Sequence, residues 1–385
     1  MSEQVLDTEL DLEDAAGSDE LDANEYFGDK QARWFQIAAR NGVRAALRAG
    51  KKRILIKGPT GSGKTITYGL TMNDPEIHEI LGVPMGEKIR VLFIAHKHRL
   101  LTQAERTFAA ESGVELILQS CFSPIPPDVL TKGWHVALLD EAHHEAMSTI
   151  QFQLEQIGDR PIIGGTATDE RADGCVIKFE EIIEPMTREE AVEQGFLAPT
   201  RLHTILDPTS TNKIDITISV LNEFHEEFGQ TMMFFKTVKE AEAIHMHLVS
   251  MGKKSVCITK QTEKFVNDSL DRFERGEVQF IVNCNKINEG VDVKGCTDVY
   301  CGRQYGSYPQ LNQVIGRAAR PDSDCNVWEL INPLSGKNLD TTVIVGTPES
   351  HRLLFTRTGK WLQNKFDYES NASVMPSMSR KNFGR

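Results

Sequence analysis

The sequence predicts an α/β protein of two tandem domains, each built around a parallel sheet. Three observations carry this reading. The chain has 385 residues, which exceeds one ordinary domain and suits two of about 150–200 residues each. Short apolar runs alternate with stretches of helical periodicity, the pattern of strands covered on both faces by helices. A polar, Pro-containing stretch without period, 197–212, separates two such series.

Taken in order, residues 1–25 hold ten acidic side chains, no lysine or arginine and no aromatic residue, and read as a disordered acidic tail. Ordered structure is expected from Tyr26, with a helix within 30–50. Strands are predicted at 53–57, 88–95, 114–119, 135–140 and 161–165, with a helix at 98–111, giving a first domain over 26–200. Residues 201–213 read as a linker. The second domain, 214–345, is predicted to hold helices at 216–228, 238–250, 262–275 and 308–319. Its strands fall at 231–235, 255–259, 278–283 and 298–301. Beyond it, 346–385 read as a C-terminal helix and a basic tail.

Composition excludes several classes. Hydrophobic residues make up 40% and charged residues 25%, ordinary for a globular chain. No apolar run approaches the roughly 18–20 residues that span a bilayer, and the first residues show no secretory pattern. A cytoplasmic address is expected, with no membrane partner. The seven cysteines, at 121, 175, 257, 284, 296, 301 and 325, form no CxxC pair, so they read as free thiols rather than zinc ligands. Net charge is −12, but it is unevenly placed. The first 25 residues carry ten of the negatives, while 351–385 hold seven Lys/Arg against two Asp/Glu, leaving −7 over 26–350. A polyanion answers to the local field, not to the overall sum.

The chemistry begins at Gly58, Pro59, Thr60, Gly61, Ser62, Gly63, Lys64 and Thr65, which fit GxxxxGK[ST] between a strand and a helix. Glycines let backbone N–H groups turn onto phosphates, and the helix N-terminus adds partial positive charge. Lys64 is expected on the β- and γ-phosphates of ATP and Thr65 on Mg²⁺. Asp140-Glu141-Ala142-His143 follows an apolar strand, 76 residues after Lys64. There Asp140 suits Mg²⁺ and Glu141 suits orienting or deprotonating the attacking water. An exposed acidic turn reads the same four residues when they stand alone.

GPTGSGKT, DEAH, Gly165-Thr166-Ala167-Thr168 and QVIGRAAR over 313–320 occur in the order and spacing of superfamily 2 helicases. The chain resembles that superfamily from about Arg33 to Arg320. Within it the chain looks most like compact DNA-directed members: restriction-enzyme motor subunits, the bacterial RadD type and the phage UvsW type. The resemblance implies two RecA-like lobes with the ATP site in the cleft between them, ATP and Mg²⁺ as cofactors, and hydrolysis coupled to nucleic-acid unwinding.

It also implies roles residue by residue. Arg33 and Gln36, the latter 22 residues before Gly58, resemble an adenine-contacting element; a plain surface helix is the other reading. His96, Arg99, Thr102 and Gln103 resemble a segment that grips one strand's backbone, as does Gln119 at a later strand end. A metal site at His96 and His98 is rejected, since no carboxylate or cysteine stands at ligand spacing. His143, Thr166 and Thr168 resemble the elements coupling the ATP site to the cleft. In the second lobe, Lys236 and Thr237 resemble phosphate contacts, Asn288 a strand contact, and Gly290 and Asp292 nucleotide contacts. Arg317 and Arg320 are expected on one helix face, supplied to the γ-phosphate, with Gln313 on the same helix to help position the water or phosphate.

The expected partner is DNA, single-stranded, forked or branched, held through its backbone with little sequence preference. An RNA helicase is the runner-up, and a nucleotide-gated binding or annealing module without unwinding is the third reading. The chain is expected to act as a monomer, and its compact size hints at a phage source. The acidic tail reads as a partner site, a self-inhibitory mimic or a solvated extension. The 351–385 segment reads as a nucleic-acid grip or as a helix packed on the second lobe through Leu353, Leu354 and Trp361.

Overall fold

The computed structural model describes residues 25–96, 98–108, 113–144, 147–168, 178–207, 213–284, 293–321, 323–332, 338–357 and 360–365. Asn288, Gly290, Asp292, the acidic tail before Glu25 and the chain after Lys365 lie outside these residues, as do the side chains of Arg99 and Gln103. The chain divides into two units, one ending at Thr187 and one running from Arg188.

In the first unit a short ladder of β1 (Tyr26–Phe27) and β2 (Lys30–Gln31) precedes α1 (Trp34–Arg48), β3 (Arg53–Lys57), α2 (Lys64–Met72) and α3 (Pro75–Ile80). Then come β4 (Ile89–Ala95), α4 (His98–Phe108), β5 (Val114–Ser120), α5 (Pro127–Lys132), β6 (Val136–Asp140), α6 (Ser148–Ile157), β7 (Ile162–Thr166) and β8 (Glu181–Ile183). The strands form one parallel sheet in the order β5-β4-β6-β7-β3-β8. Alternation of side chains along a strand sorts the apolar runs onto two faces. Ile54, Ile56, Val91, Phe93, Leu138 and Ile163 pack with residues of α1, α2 and α4. Leu55, Leu92, Ile94, Ala137, Leu139 and Ile162 meet α6 and Trp134 on the other side.

The second unit runs α7 (Arg188–Glu193), β9 (Thr200–Leu206), α8 (Lys213–Phe224), β10 (Thr231–Phe235), α9 (Val238–Ser250), β11 (Ser255–Ile258), α10 (Val266–Glu274) and β12 (Phe280–Cys284). It continues with β13 (Asp298–Cys301), α11 (Tyr308–Ile315), β14 (Cys325–Ile331), α12 (Thr342–Val345), β15 (Ser350–Arg357) and β16 (Lys360–Lys365). The sheet order is β11-β12-β10-β13-β14-β9-β15-β16, parallel except for the final antiparallel pair. Met232, Phe234, Ile281, Val299 and Val327 face α10 and α11. Met233, Phe235, Phe280, Val282, Tyr300 and Trp328 face α8 and α9.

Three expectations are corrected here. The linker expected at 201–213 begins as β9, which pairs with β14 on one side and β15 on the other. Its polar residues hid it, because they are satisfied inside: His203 stacks on Trp328 at 4.2 Å, and Thr204 Oγ1 donates to Glu329 Oε1 at 2.6 Å. The C-terminal helix expected after 346 is instead the β15–β16 hairpin. Its Leu354 is fully buried and its Trp361 Nε1 donates to Ser219 Oγ at 3.0 Å. The helix expected over 308–319 stops at Ile315, so Arg317 and Arg320 do not share a helix face. Arg317 N–H turns back to Val314 O and Arg320 N–H to Ala318 O. Pro321 disfavours the helical region for the residue before it.

Candidate nucleotide site and strand-facing edge

In open parallel sheets, ligands gather at the carboxyl ends of the strands. The first unit places its motifs at that edge. Register pairs Lys57 with Thr166 and Asp140 with Gly165, so β3, β7 and β6 deliver the Gly-rich loop, the GTAT turn and the DEAH residues side by side. The loop is tied to its neighbour by Gly58 N–H donating to Thr166 O at 3.0 Å.

The loop itself depends on two left-handed glycines, Gly61 at φ 89° and Gly63 at φ 83°, a region that costs glycine nothing. Gly63 caps α2, whose nine residues begin at Lys64. Lys64 Nζ donates to Gly58 O at 3.4 Å, which curls the ammonium over the loop. Gln36 is buried beneath it; its Nε2 donates to Ser62 O at 3.1 Å and its Oε1 accepts from Arg33 N–H at 3.0 Å. Sequence reading gave Gln36 to the adenine edge, and the structure places it against the loop backbone. A Cβ at Gly63 would stand 2.8 Å from Gln36 Nε2, so the amide props this conformation directly. Arg33, half-buried at the same helix start, lies over the Phe35 ring at 6.0 Å.

Asp140 and Glu141 stand at the end of β6. Burial and the adjacent Glu141 charge push the Asp140 carboxyl well above the usual range, while Lys64 and His96 draw it down. A buried carboxylate with a like charge beside it and a lysine near it fits a divalent cation held with a polyphosphate. Glu141 is the one non-glycine residue with positive φ among the described residues, at 53°. Such strain persists where surroundings over-determine it and concentrates at active sites. His143 is buried, with Nδ1 3.5 Å from Glu141 Oε2 and 3.4 Å from Thr166 Oγ1. Thr166 Oγ1 donates to Thr168 O at 2.7 Å and accepts from Thr168 N–H at 3.2 Å, closing the GTAT turn on itself.

Tyr68, which sequence reading passed over, lies under this edge. It is fully buried, edge-on to Phe93 at 6.2 Å, and burial together with the Asp140 and Glu141 charges raises its phenol well above the ordinary value. A Cβ at Gly165 would overlap its hydroxyl oxygen. Gly165→Ala is therefore expected to cost about 1–3 kcal/mol of stability, as overpacking does. A urea melt reads it directly, and an unchanged midpoint would show that the ring does not seat there.

The remaining expected contacts divide. His96 is buried at the end of β4, and half-buried Thr102 lies on α4 beyond it. Gln119 is buried rather than displayed. Its Nε2 donates to Ser120 O at 2.8 Å and Ser123 O at 2.9 Å, so it holds the turn and is not presented as a phosphate donor. In the second unit, Lys236 and Thr237 are exposed after β10. Thr237 Oγ1 accepts from Glu240 N–H at 3.2 Å as the cap of α9, which leaves its proton for another acceptor. Gln313 and Arg317 are buried near the end of α11, with Arg320 half-buried after it. Among the described residues no helix is long and apolar enough to cross a membrane.

Known families match each unit in turn. The type III restriction enzyme res subunit family matches residues 29–121, and the helicase conserved C-terminal domain family matches 212–322. Together the two matches, one on each unit, support a protein of the superfamily 2 helicase kind. A 51.5 kDa protein of Lactococcus phage (isolate 7-9) is 27% identical over 269 residues, covering 63% of this chain and 57% of that one. The chain spans about half the length of the curated relatives it matches. A fragment assigned as an HsdR subunit of a type I restriction enzyme from Vibrio vulnificus shares the fold at TM-score 0.68 and 19% identity, over 86% of this chain and 70% of that one. The ATP-dependent type ISP restriction-modification enzyme LlaBIII, bound to DNA, aligns at TM-score 0.63 and 13% identity, over 89% and 32%. Dbp5 of S. cerevisiae, bound to RNA, aligns at 0.55 and 15%, over 89% and 93%. The fold is two RecA-like α/β domains in tandem.

Proposed function

We propose that this chain is an ATP-driven DNA helicase or translocase that grips the strand backbone and remodels forked or branched DNA. The observation that carries the reading is the convergence at one sheet edge of the Gly-rich loop, Asp140 with Glu141, and the Thr166–Thr168 turn. Lys64 and the N–H groups opening α2 hold the phosphates, and Thr65 and Asp140 hold Mg²⁺. Held there with ATP, the ion would supply positive charge against the polyphosphate. Glu141 orients the attacking water and takes its proton. Arg317 and Arg320 offset the charge that develops on the γ-phosphate, and Gln313 helps place it. His96, Arg99, Thr102 and Gln103 in the first unit, and Lys236 and Thr237 in the second, supply donors to the strand backbone. Loss of the γ-phosphate releases the residues that grip it, and alternation between gripped and released states moves the chain along the strand.

The restriction-enzyme likeness, with the LlaBIII neighbour bound to DNA, supports DNA over RNA as the polymer. The test is steady-state ATP hydrolysis at fixed salt with no polymer, single-stranded DNA, duplex DNA, forked DNA or RNA. Stimulation largest with forked DNA is expected. Stimulation by RNA alone would assign the chain to RNA, and none by any polymer would overturn the motor.

A further inference from the structure

We infer that His144, next to the DEAH residues, is a positioning residue that couples strand binding to the ATP site through a stack of three histidine rings. The inference rests on the motor reading above. The His144 ring lies 4.7 Å from His96 on one side and 4.3 Å from His143 on the other, tilted by 54° and 45°. His96 follows β4 by one residue and stands two residues before α4, which carries Arg99, Thr102 and Gln103. His143 reaches Glu141 and Thr166 through Nδ1. The ring stack therefore joins the segment proposed to hold the strand to the residue proposed to activate water.

The local geometry makes this join stiff. His144 N–H donates to Glu141 O at 3.0 Å and its carbonyl accepts from Met147 N–H at 2.9 Å, so its backbone is tied into the turn that holds Glu141. Thr166 Oγ1 spends its proton on Thr168 O. His143 Nδ1 must then carry a proton to bond either Thr166 Oγ1 or the Glu141 carboxylate. A displacement of His96 passes through His144 to a donor that faces Glu141 and the GTAT turn together. Packed elements with discrete arrangements transmit such shifts between sites.

Coupling is reciprocal: a strand that alters nucleotide affinity by some factor has its own affinity altered equally. The test measures binding of a fluorescent ATP analogue with and without saturating single-stranded DNA, in the full chain and in two variants of similar size. The expected wild-type coupling factor is on the order of 5–150. In His144→Phe, which keeps a ring in the stack, it is expected to stay within about threefold of the wild-type value. In His144→Gln, which keeps polarity and loses the ring, it is expected to fall close to one. Thermal melts of both variants check that the fold is retained. A full coupling factor in His144→Gln, or its loss in both variants, would overturn the ring stack as the link. Absence of any coupling in the wild type, by contrast, would count against the motor reading itself.

Discussion

Replacing Glu141 with glutamine is expected to lower ATP turnover about 10²–10⁴-fold, the usual worth of a positioned general base, while nucleotide still binds. The amide keeps the size of the carboxylate but cannot take a proton from water. Binding should survive because the proposed phosphate cradle is built elsewhere, from Gly61, Gly63, Lys64 and the start of α2. The backbone at φ 53° places a carboxylate where few side chains point, and the His143 contact at 3.5 Å helps aim it. Single-turnover hydrolysis, with analogue binding measured in parallel, separates the two steps. Turnover within about twofold of the wild type would remove Glu141 from the base role.

Arg320→Ala is expected to reduce kcat by about 10³–10⁵, the range for an arginine that meets charge on a transferring phosphoryl group. Arg317→Ala should fall in the same range, but Arg317 is more deeply buried, at 9% exposure, so its loss also disturbs packing. Arg320 is the cleaner probe. Arg320→Lys keeps the charge but not the planar fork, and should recover little of the rate. A loss under tenfold in Arg320→Ala, with the melt unchanged, would show that this arginine does not serve the reaction.

Most of the first sheet was legible in the sequence because its strands are continuous apolar runs ending in motifs that demand a strand end. RILIK before the Gly-rich loop and VALLD before Glu141 sit as β3 and β6. The second sheet was harder. β9 carries His203 and Thr204 inward, and β14 carries Glu329; these read as surface residues until their partners are known. Burial pushes Glu329 above the usual carboxylate range, and the hydroxyls of Thr204 and Thr341 donate to it. No local pattern announces such a pairing across 125 residues. The same reason hid the β15–β16 hairpin, whose Trp361 and Leu354 find their core only in tertiary contact.

The candidate site divides along the same line. Sequence alone determined the kinds of group and their order: the Gly-rich loop, the acidic pair, the threonine turn and the arginine segment. Their chemistry is local, fixed by residue type at fixed spacing. Only the tertiary structure decided where each side chain spends its bonds. Gln36 props the loop, Gln119 holds a turn, Tyr68 fills the space that Gly165 leaves, and His144 touches rings from two segments. Hydrogen-bond partners and close contacts are set by strands distant in sequence, so spacing along the chain does not encode them.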